Sequence, residues 1–103
     1  MKIFLDDIRK IDENLGNAVV RNYESCIELI SNSRNDLDFV SLDYSLGSEK
    51  TGLDVLVYMV ENRIYPNHIN IHSDHEVGVP IMRKYVQENF SNYIMVTFNK
   101  IKD

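Results

Sequence analysis

The sequence contains few of the residues that cross-link or interrupt a fold. Cysteine occurs once, as Cys26, and the chain has two prolines, four glycines and no tryptophan among its 103 residues. A single cysteine excludes an internal disulfide framework and a thiolate metal cluster. Because the prolines and glycines do not cluster, no linker, repeat or low-complexity segment divides the chain. We therefore expect one domain spanning residues 1–103.

Long apolar runs are also absent from the sequence. No stretch approaches the roughly 20 apolar residues of a membrane span, and the amino terminus lacks the basic-then-apolar pattern of a signal peptide. These absences predict a cytoplasmic protein that makes no membrane contact. The formal net charge of -5 argues against broad non-specific binding to nucleic acid.

What the sequence does contain is an alternation of strand and helix patterns. Hydrophobic residues make up 44% and charged residues 26% of the chain, which is typical of a globular domain with a small core. Apolar runs predict five strands, at residues 2–5, 18–21, 39–42, 68–71 and 93–98. Helical spacing predicts helices over residues 23–33, from residue 51 and after residue 78. The alternation indicates an α/β fold with a parallel sheet.

Two of the predicted helices carry more specific signals. Thr51 followed by Asp54 resembles a capping box, with Asp in place of the usual Glu or Gln. In the third helix, the spacing of apolar residues predicts four that face inward, namely Ile81, Met82, Tyr85 and Val86.

The connection between the first two strands is short. Only residues 8–17 separate Asp7 from the second strand, at the lower limit of about 10–12 residues for a right-handed crossover that includes a helix. We therefore expect the first helix to be reduced to a turn or replaced by a loop, which would leave the floor of the adjacent site open.

Three aspartates follow two of the predicted strands. Asp6 and Asp7 come directly after the first strand, and Asp43 comes directly after the third. Parallel strands end at one edge of their sheet, where open α/β sheets bind ligands. Carboxylate oxygens that leave room for water and phosphate are the ligands that Mg²⁺ prefers. The sequence therefore predicts a site for Mg²⁺, or Mn²⁺, on Asp6, Asp7 and Asp43, although aspartates also follow strands as turn formers and helix caps.

Basic residues lie near the same predicted edge. A rim built from Arg9, Lys10, Arg21, Lys100 and Lys102 would receive a phosphorylated ligand. The alternatives are that these charges form solvated surface, and that Arg9 pairs with a nearby aspartate.

This order of residues resembles the receiver domains of two-component response regulators. An acidic pair follows strand one, an aspartate ends strand three, Thr51-Gly52-Leu53-Asp54 opens a helix, and a hydroxyl residue ends strand four. The resemblance implies that Asp6 and Asp7 hold Mg²⁺ and that Asp43 is the phospho-acceptor. It also implies a switch hydroxyl, for which the candidate is Ser73. A lysine is expected after strand five, and Lys100 is the candidate for it.

Several motifs resemble a narrower group, the receiver-like domains predicted to process cyclic phosphates. They are Leu-Asp-Asp-Ile-Arg at residues 5–9, Leu-Asp and Leu-Gly at 42–43 and 46–47, Thr-Gly at 51–52, and His-Ser at 72–73 with Gly78 and Met82. Two positions depart from that pattern: the usual proline after Arg9 is absent, and His75 replaces an asparagine. The resemblance implies a flavodoxin-like, three-layer fold with strand order 2-1-3-4-5, a reduced first helix and no last helix.

The chemistry of a cyclic phosphodiester fits these residues. A metal on the aspartates would polarise a phosphoryl oxygen or lower the pKa of a bound water. Arg9 has a fork suited to phosphate, and His72 would protonate the leaving oxygen. We therefore expect Asp43, His72 and Arg9 to be catalytic, and the resemblance implies that Ser73 is catalytic as well. We expect the ligand to be a phosphate-containing small molecule or an RNA end. For His72 the alternative is a histidine satisfied by backbone.

Other functions remain open from the sequence. The chain would also suit a stand-alone phospho-acceptor receiver, in which a loop rearranges around Ser73, or a non-catalytic module that binds a nucleotide or a protein partner. An Asp-x-Asp phosphatase fits less well, because adjacent aspartates point to opposite sides of an extended chain. A transition-metal site on His72, Asp74 and His75 is a further alternative.

Overall fold

The computed structural model describes residues 1–11 and 18–101. Its five strands are β1 (Lys2–Leu5), β2 (Ala18–Val20), β3 (Phe39–Leu42), β4 (His68–Ile71) and β5 (Met95–Thr97), and its helices are α1 (Tyr23–Asn32), α2 (Gly52–Glu61) and α3 (Gly78–Asn89). All neighbouring strands pair in parallel. The sheet order is β2-β1-β3-β4-β5, which confirms the flavodoxin-like order predicted from the sequence.

The register of the central strands brings three side chains to one edge of the sheet. The last residues of β1, β3 and β4 are aligned with one another. The residues that directly follow them, Asp6, Asp43 and His72, therefore lie side by side. Backbone hydrogen bonds continue this alignment beyond the strands, from Asp43 N to Leu5 O and from His72 N to Leu42 O, each 3.0 Å long.

One face of the sheet carries the hydrophobic core. Because strand side chains alternate between faces, every second residue of the central strands is buried here: Ile3, Leu5, Val40, Leu42, Ile69 and Ile71. All three described helices add buried residues to the same cluster, namely Cys26 and Ile30 from α1, Val55, Leu56 and Met59 from α2, and Met82 and Val86 from α3. The core therefore holds β1, β3 and β4 in place beneath the carboxyl edge of the sheet.

The opposite face of the central strands is aromatic and polar. Phe4, Phe39 and His68 form a row across three strands, with ring centroids 5.4 Å and 4.8 Å apart. Ser41 and Asn70 are paired across β3 and β4 on the same face, and they are 0% and 5% exposed. Buried polar groups need hydrogen-bond partners, so these two side chains constrain their surroundings.

The starts of α1 and α2 are capped as their sequences indicate. The Asn22 side chain accepts a hydrogen bond of 2.8 Å from Ser25 N at the start of α1. At the start of α2, Thr51 N donates to Asp54 Oδ2 over 2.7 Å, and the two residues form a capping box. The predicted capping box is therefore confirmed.

The buried side of α3 differs from the prediction at one residue. Met82 and Val86 are buried and Tyr85 packs against the core, but Ile81 is 41% exposed. Met82 and Val86 stand one turn apart on a single row of the helix, and the adjacent position of Ile81 turns toward solvent. The prediction that Ile81 faces inward was wrong.

The first helix was expected to be reduced and the last helix to be missing. The segments that follow β1 and β5 test these two predictions. Residues 8–11 contain no helix, and the rest of that connection, residues 12–17, lies outside the described residues. No helix follows β5 as far as residue 101. Within the described ranges, no helix combines the length and apolarity needed to cross a membrane.

A test of this packing is Gly52→Ala. A Cβ at Gly52 would overlap the backbone carbonyl oxygen of Asp43, which cannot move without disturbing β3. Overpacking of this kind costs about 1–3 kcal/mol, so we expect a clear loss of stability in urea denaturation. Ser48→Ala, at an exposed position of the same connection, is the control and should be near neutral. Equal stability of the two variants would contradict the close approach of α2 to β3.

Candidate functional site

Three titratable side chains converge at the carboxyl edge. Asp6, Asp43 and His72 each offer an oxygen or nitrogen atom, and these atoms all lie within 4.8 Å of one another. Among the residues that the structure describes, this is the one group of acidic, histidine or cysteine side chains close enough to share a metal ion. The predicted convergence of Asp6 and Asp43 is therefore observed.

Asp6 is a buried and heavily hydrogen-bonded carboxylate. Its side chain is 1% exposed. Oδ1 accepts hydrogen bonds from Ile8 N at 3.1 Å and Arg9 N at 2.7 Å, so the carboxylate caps the turn after β1. Oδ2 lies 3.1 Å from His72 Nε2 and 3.6 Å from Arg9 Nε. Burial raises the pKa of Asp6, but the backbone hydrogen bonds from Arg9 and Ile8, with His72, outweigh it and hold the pKa below its usual value.

Asp43 shows the opposite behaviour. It is partly buried, and its Oδ1 accepts a hydrogen bond of 2.8 Å from Tyr44 N. Burial and the nearby charge of Asp6 raise the pKa of Asp43, while a hydrogen bond from Ser73 opposes the rise. Two carboxylates this close repel one another. A bound cation would relieve that repulsion, so the close approach of Asp6 and Asp43 favours a metal site.

His72 lies between the acidic edge and the buried polar face of the sheet. Its side chain is 0% exposed. Nδ1 lies 2.7 Å from Ser41 Oγ, and Nε2 faces Asp6 Oδ2. Burial lowers the pKa of His72, and although the charges of Asp43 and Asp6 act in the opposite direction, the pKa stays below its ordinary value. Both ring nitrogens are therefore engaged by side chains, so the alternative of a histidine satisfied by backbone does not describe it.

Asp7 and Arg9 occupy the rim beside this cluster. Asp7 is outside the group of three. Its side chain packs closely against Gly47, since a Cβ added there would lie 3.2 Å from Asp7 Oδ2. The φ of 69° at Gly47 also favours glycine. Arg9 Nη1 donates to Ile101 O at 3.2 Å while Nε faces Asp6. The alternative proposed for Arg9, an ion pair with a nearby aspartate, is thus present with Asp6. The guanidinium group borders the cluster.

The other predicted site residues lie around the loop after β4. Ser73 Oγ accepts from His75 N at 3.1 Å, and Ser73 acts to lower the pKa of Asp43. Lys100 Nζ lies 2.6 Å from Asp74 Oδ1. His75 Nδ1 accepts from Gly78 N at 2.9 Å, so it serves the start of α3. His72, Asp74 and His75 therefore each have separate partners and do not form a metal group in the described part of the chain.

The basic rim is only partly assembled around the site. Arg21 Nη1 donates to Asp6 O at 3.1 Å and to Arg9 O at 2.6 Å. It therefore fixes the backbone of the turn that carries Asp6, a role that sequence reasoning missed. Lys10 is exposed, and the predicted contribution of Lys102 lies outside the described residues.

Ser41 and Asn70 are further site residues that the sequence analysis did not identify. Ser41 interrupts the otherwise apolar strand Phe-Val-Ser-Leu, and Asn70 stands between two isoleucines in His-Ile-Asn-Ile. A polar residue in the middle of a buried strand is a signal of a hydrogen-bond network. Here that network reaches His72 through Ser41.

The fold and the acidic edge together define a receiver-like domain. Residues 1–88 match the family described as cyclic-phosphate processing receiver domain. The chain belongs to that family, which confirms the resemblance drawn from the motifs. Searches of curated proteins and of solved structures gave no significant match.

The charge repulsion at Asp43 can be tested with Asp43→Asn. Because the folded state raises the pKa of Asp43, ionisation of this group at neutral pH destabilises the fold, and removing the charge should raise the melting temperature in chelator. The gain should shrink as the pH falls through the raised pKa of the folded state and should become small below 3.8, the ordinary value, because the carboxyl is then protonated in both states. Thermal unfolding followed by circular dichroism measures this.

A matched control separates the local effect from the overall charge. Asp36→Asn removes the same charge at an exposed position and should change the melting temperature little. A loss of stability in Asp43→Asn at neutral pH would show that the two carboxylates do not repel one another in the folded protein.

Proposed function

We propose that this receiver domain binds a cyclic phosphate, such as a nucleotide 2′,3′-cyclic phosphate or the cyclic phosphate end of an RNA, and hydrolyses it with Mg²⁺ or Mn²⁺. The observation that carries the proposal is the convergence of Asp6 and Asp43 beside Arg9 at the carboxyl edge. Membership of the cyclic-phosphate processing family supports the ligand class.

The donor set at the edge fits a hard divalent cation. Asp6 and Asp43 supply carboxylate oxygens, which suit Mg²⁺ and Mn²⁺ better than softer metals. Asp7, the residue directly after Asp6 on the same turn, is proposed as a further ligand from the receiver-like motif. When bound, such an ion neutralises charge on a phosphoryl oxygen and lowers the pKa of a bound water.

The protein's own groups would hold the phosphate. The Arg9 guanidinium is partly buried and borders Asp6. To pair its planar fork with two non-bridging oxygens, it would exchange its present contacts, such as that with Ile101 O, for the phosphate. Ser73 lies close enough to Asp43 to lower its pKa, and its hydroxyl would contact the phosphate beside Asp43. Through a carboxylate oxygen that does not bind the ion, Asp43 would accept a proton from the attacking water and return it to the ester oxygen that leaves phosphorus as the ring opens.

Phosphorus NMR with a panel of nucleotide 2′,3′-cyclic phosphates tests this function. With Mg²⁺, the wild-type protein should bind or open a member of the panel. Asp43→Ala should abolish the effect and exposes any contaminating nuclease. Arg9→Lys keeps the charge but loses the fork, so it should weaken ligand binding by about tenfold or more, in line with a charge-assisted hydrogen bond worth about 1.5–3 kcal/mol.

The control variant for this experiment is Asp36→Asn. Asp36 is exposed and precedes β3, at the opposite end of that strand from Asp43, so this variant should match the wild type. If the wild-type protein neither binds nor converts any cyclic phosphate, the proposed function is wrong while the receiver fold stands.

A second candidate function is phosphoryl acceptance at Asp43. The position of Ser73, close enough to Asp43 to lower its pKa, favours it, because receivers couple a hydroxyl to the acceptor carboxylate. Against it, the Lys100 ammonium pairs with Asp74 rather than with Asp43, so no cation from that position offsets the added charge.

We therefore expect no durable adduct when the protein is treated with Mg²⁺ and either beryllofluoride or a small phosphoryl donor. Intact-mass spectrometry after the phosphoryl donor and fluorine NMR with beryllofluoride are the measurements. A stable adduct that disappears in Asp43→Asn would establish Asp43 as a phospho-acceptor and displace the hydrolytic proposal.

A further inference from the structure

A continuous chain of side-chain hydrogen bonds crosses the polar face of the sheet and ends at the acidic edge. It links, in order, His68, Thr97, Asn70, Ser41, His72 and Asp6, with donor to acceptor distances of 2.7, 2.6, 3.0, 2.7 and 3.1 Å. No buried side-chain nitrogen or oxygen of the described residues lacks a partner. The direction in which each bond is donated can therefore be worked out.

The orientation of Asn70 is settled by backbone groups. Asn99 N donates to Asn70 Oδ1 over 2.9 Å, and Asn99 O accepts from Asn70 Nδ2 over 2.8 Å. A backbone N–H can only donate and a carbonyl oxygen can only accept, so exchanging the amide atoms of Asn70 would break both bonds. The Nδ2 atom of Asn70 must therefore be the one that faces Ser41.

The orientation of Ser41 follows from that of Asn70. Asn70 Nδ2 donates to Ser41 Oγ, and His72 Nδ1 is the acceptor within reach of the Ser41 hydroxyl proton. At the other side of the ring, the ionised Asp6 carboxylate can only accept, so Nε2 must carry a proton. Nδ1 then acts as the acceptor, and the neutral imidazole carries its proton on Nε2. That N–H donates to Asp6 Oδ2. Each group in the chain thus has one donor facing one acceptor.

We propose that His72 is a positioning residue, held by Ser41 and Asn70 as a fixed Nε2–H donor to Asp6, and that it aims the Asp6 carboxylate at the metal. This inference rests on the proposed metal site and changes the role expected for His72 from the sequence. A ring that is 0% exposed and has both nitrogens occupied orients a ligand; it does not protonate a leaving group or bind the ion itself.

The arrangement is the counterpart of a common feature of metal sites. Partners outside the ligand shell fix the orientation of a ligand, and their loss typically costs about 10–100-fold in metal affinity. Here the ligand is a carboxylate and the partner a neutral histidine. Because Nε2 has no lone pair left, the site presents oxygen ligands and should favour Mg²⁺ over Zn²⁺.

Nitrogen NMR of the wild-type protein tests the assignment without any metal or substrate. Long-range proton–nitrogen spectra should show His72 as neutral imidazole with the proton on Nε2. Ser41→Ala should shift the Nδ1 resonance as its hydrogen bond is lost. Thr97→Val is the control, since Asn99 still orients Asn70, and it should leave the ring resonances in place. A proton on Nδ1, or a doubly protonated ring at neutral pH, would overturn the proposal.

Calorimetry with Mg²⁺ alone tests the role of the ring. In His72→Gln the side-chain amide can donate to Asp6 and accept from Ser41, but it cannot act as a general acid. We expect His72→Ala to weaken Mg²⁺ binding by about 10–100-fold and His72→Gln to restore most of that loss. Turnover of a cyclic phosphate, where the wild type shows it, should follow the same order.

The opposing outcomes are distinct. A general acid predicts that both variants bind Mg²⁺ like the wild type and both lose turnover, which would overturn the positioning role. A folded His72→Gln that binds as weakly as His72→Ala would also overturn it. If His72→Ala does not fold by circular dichroism, His72→Gln and the wild-type NMR spectrum decide. A wild type that binds no Mg²⁺ would instead refute the proposed function, while the NMR result still decides the state of His72.

Discussion

The constraint on which this site depends is the burial of one charged carboxylate at the end of β1. A buried charge is costly unless hydrogen bonds replace the lost water, and Asp6 is 1% exposed. Two backbone N–H groups and His72 supply those bonds. The turn after β1, the ring of His72 and the polar residues behind it are all arranged around this requirement. Asp43 has fewer hydrogen bonds to compensate for its burial, and its pKa is therefore raised.

The positions of the central strands follow from periodicity, whereas the strand order was implied by the family resemblance. β1, β3 and β4 coincide with the predicted residues. Short apolar runs bounded by turn residues usually form buried strands in a small α/β domain. Parallel pairing then makes the meeting of Asp6 and Asp43 predictable. The ends of β2 and β5 and the exposure of Ile81 were harder to predict, since they depend on what covers an edge strand or a helix flank.

The finer structure of the site was less predictable, for reasons of side-chain direction. Adjacent residues of an extended chain point to opposite sides, and Asp7 accordingly lies outside the cluster that Asp6 joins. His72 stands in the same row as Asp6 and Asp43, but only the contacts of its two nitrogens distinguish a proton donor for substrate from a support for Asp6. Ser41 and Asn70 were visible as polar interruptions of apolar strands, yet their pairing across β3 and β4 required the register.

The directed order of the hydrogen bonds between Asn70 and Asp6 has a consequence for how sequences of this kind can vary. Reversing or deleting one donor leaves its neighbour buried without a partner, and such a loss costs more than replacing both together by apolar groups. Residues 41, 70 and 72 should therefore change in concert among related chains rather than one at a time. A relative with an aliphatic residue at position 41 would be expected to have lost the histidine as well, and with it this way of orienting the acidic edge.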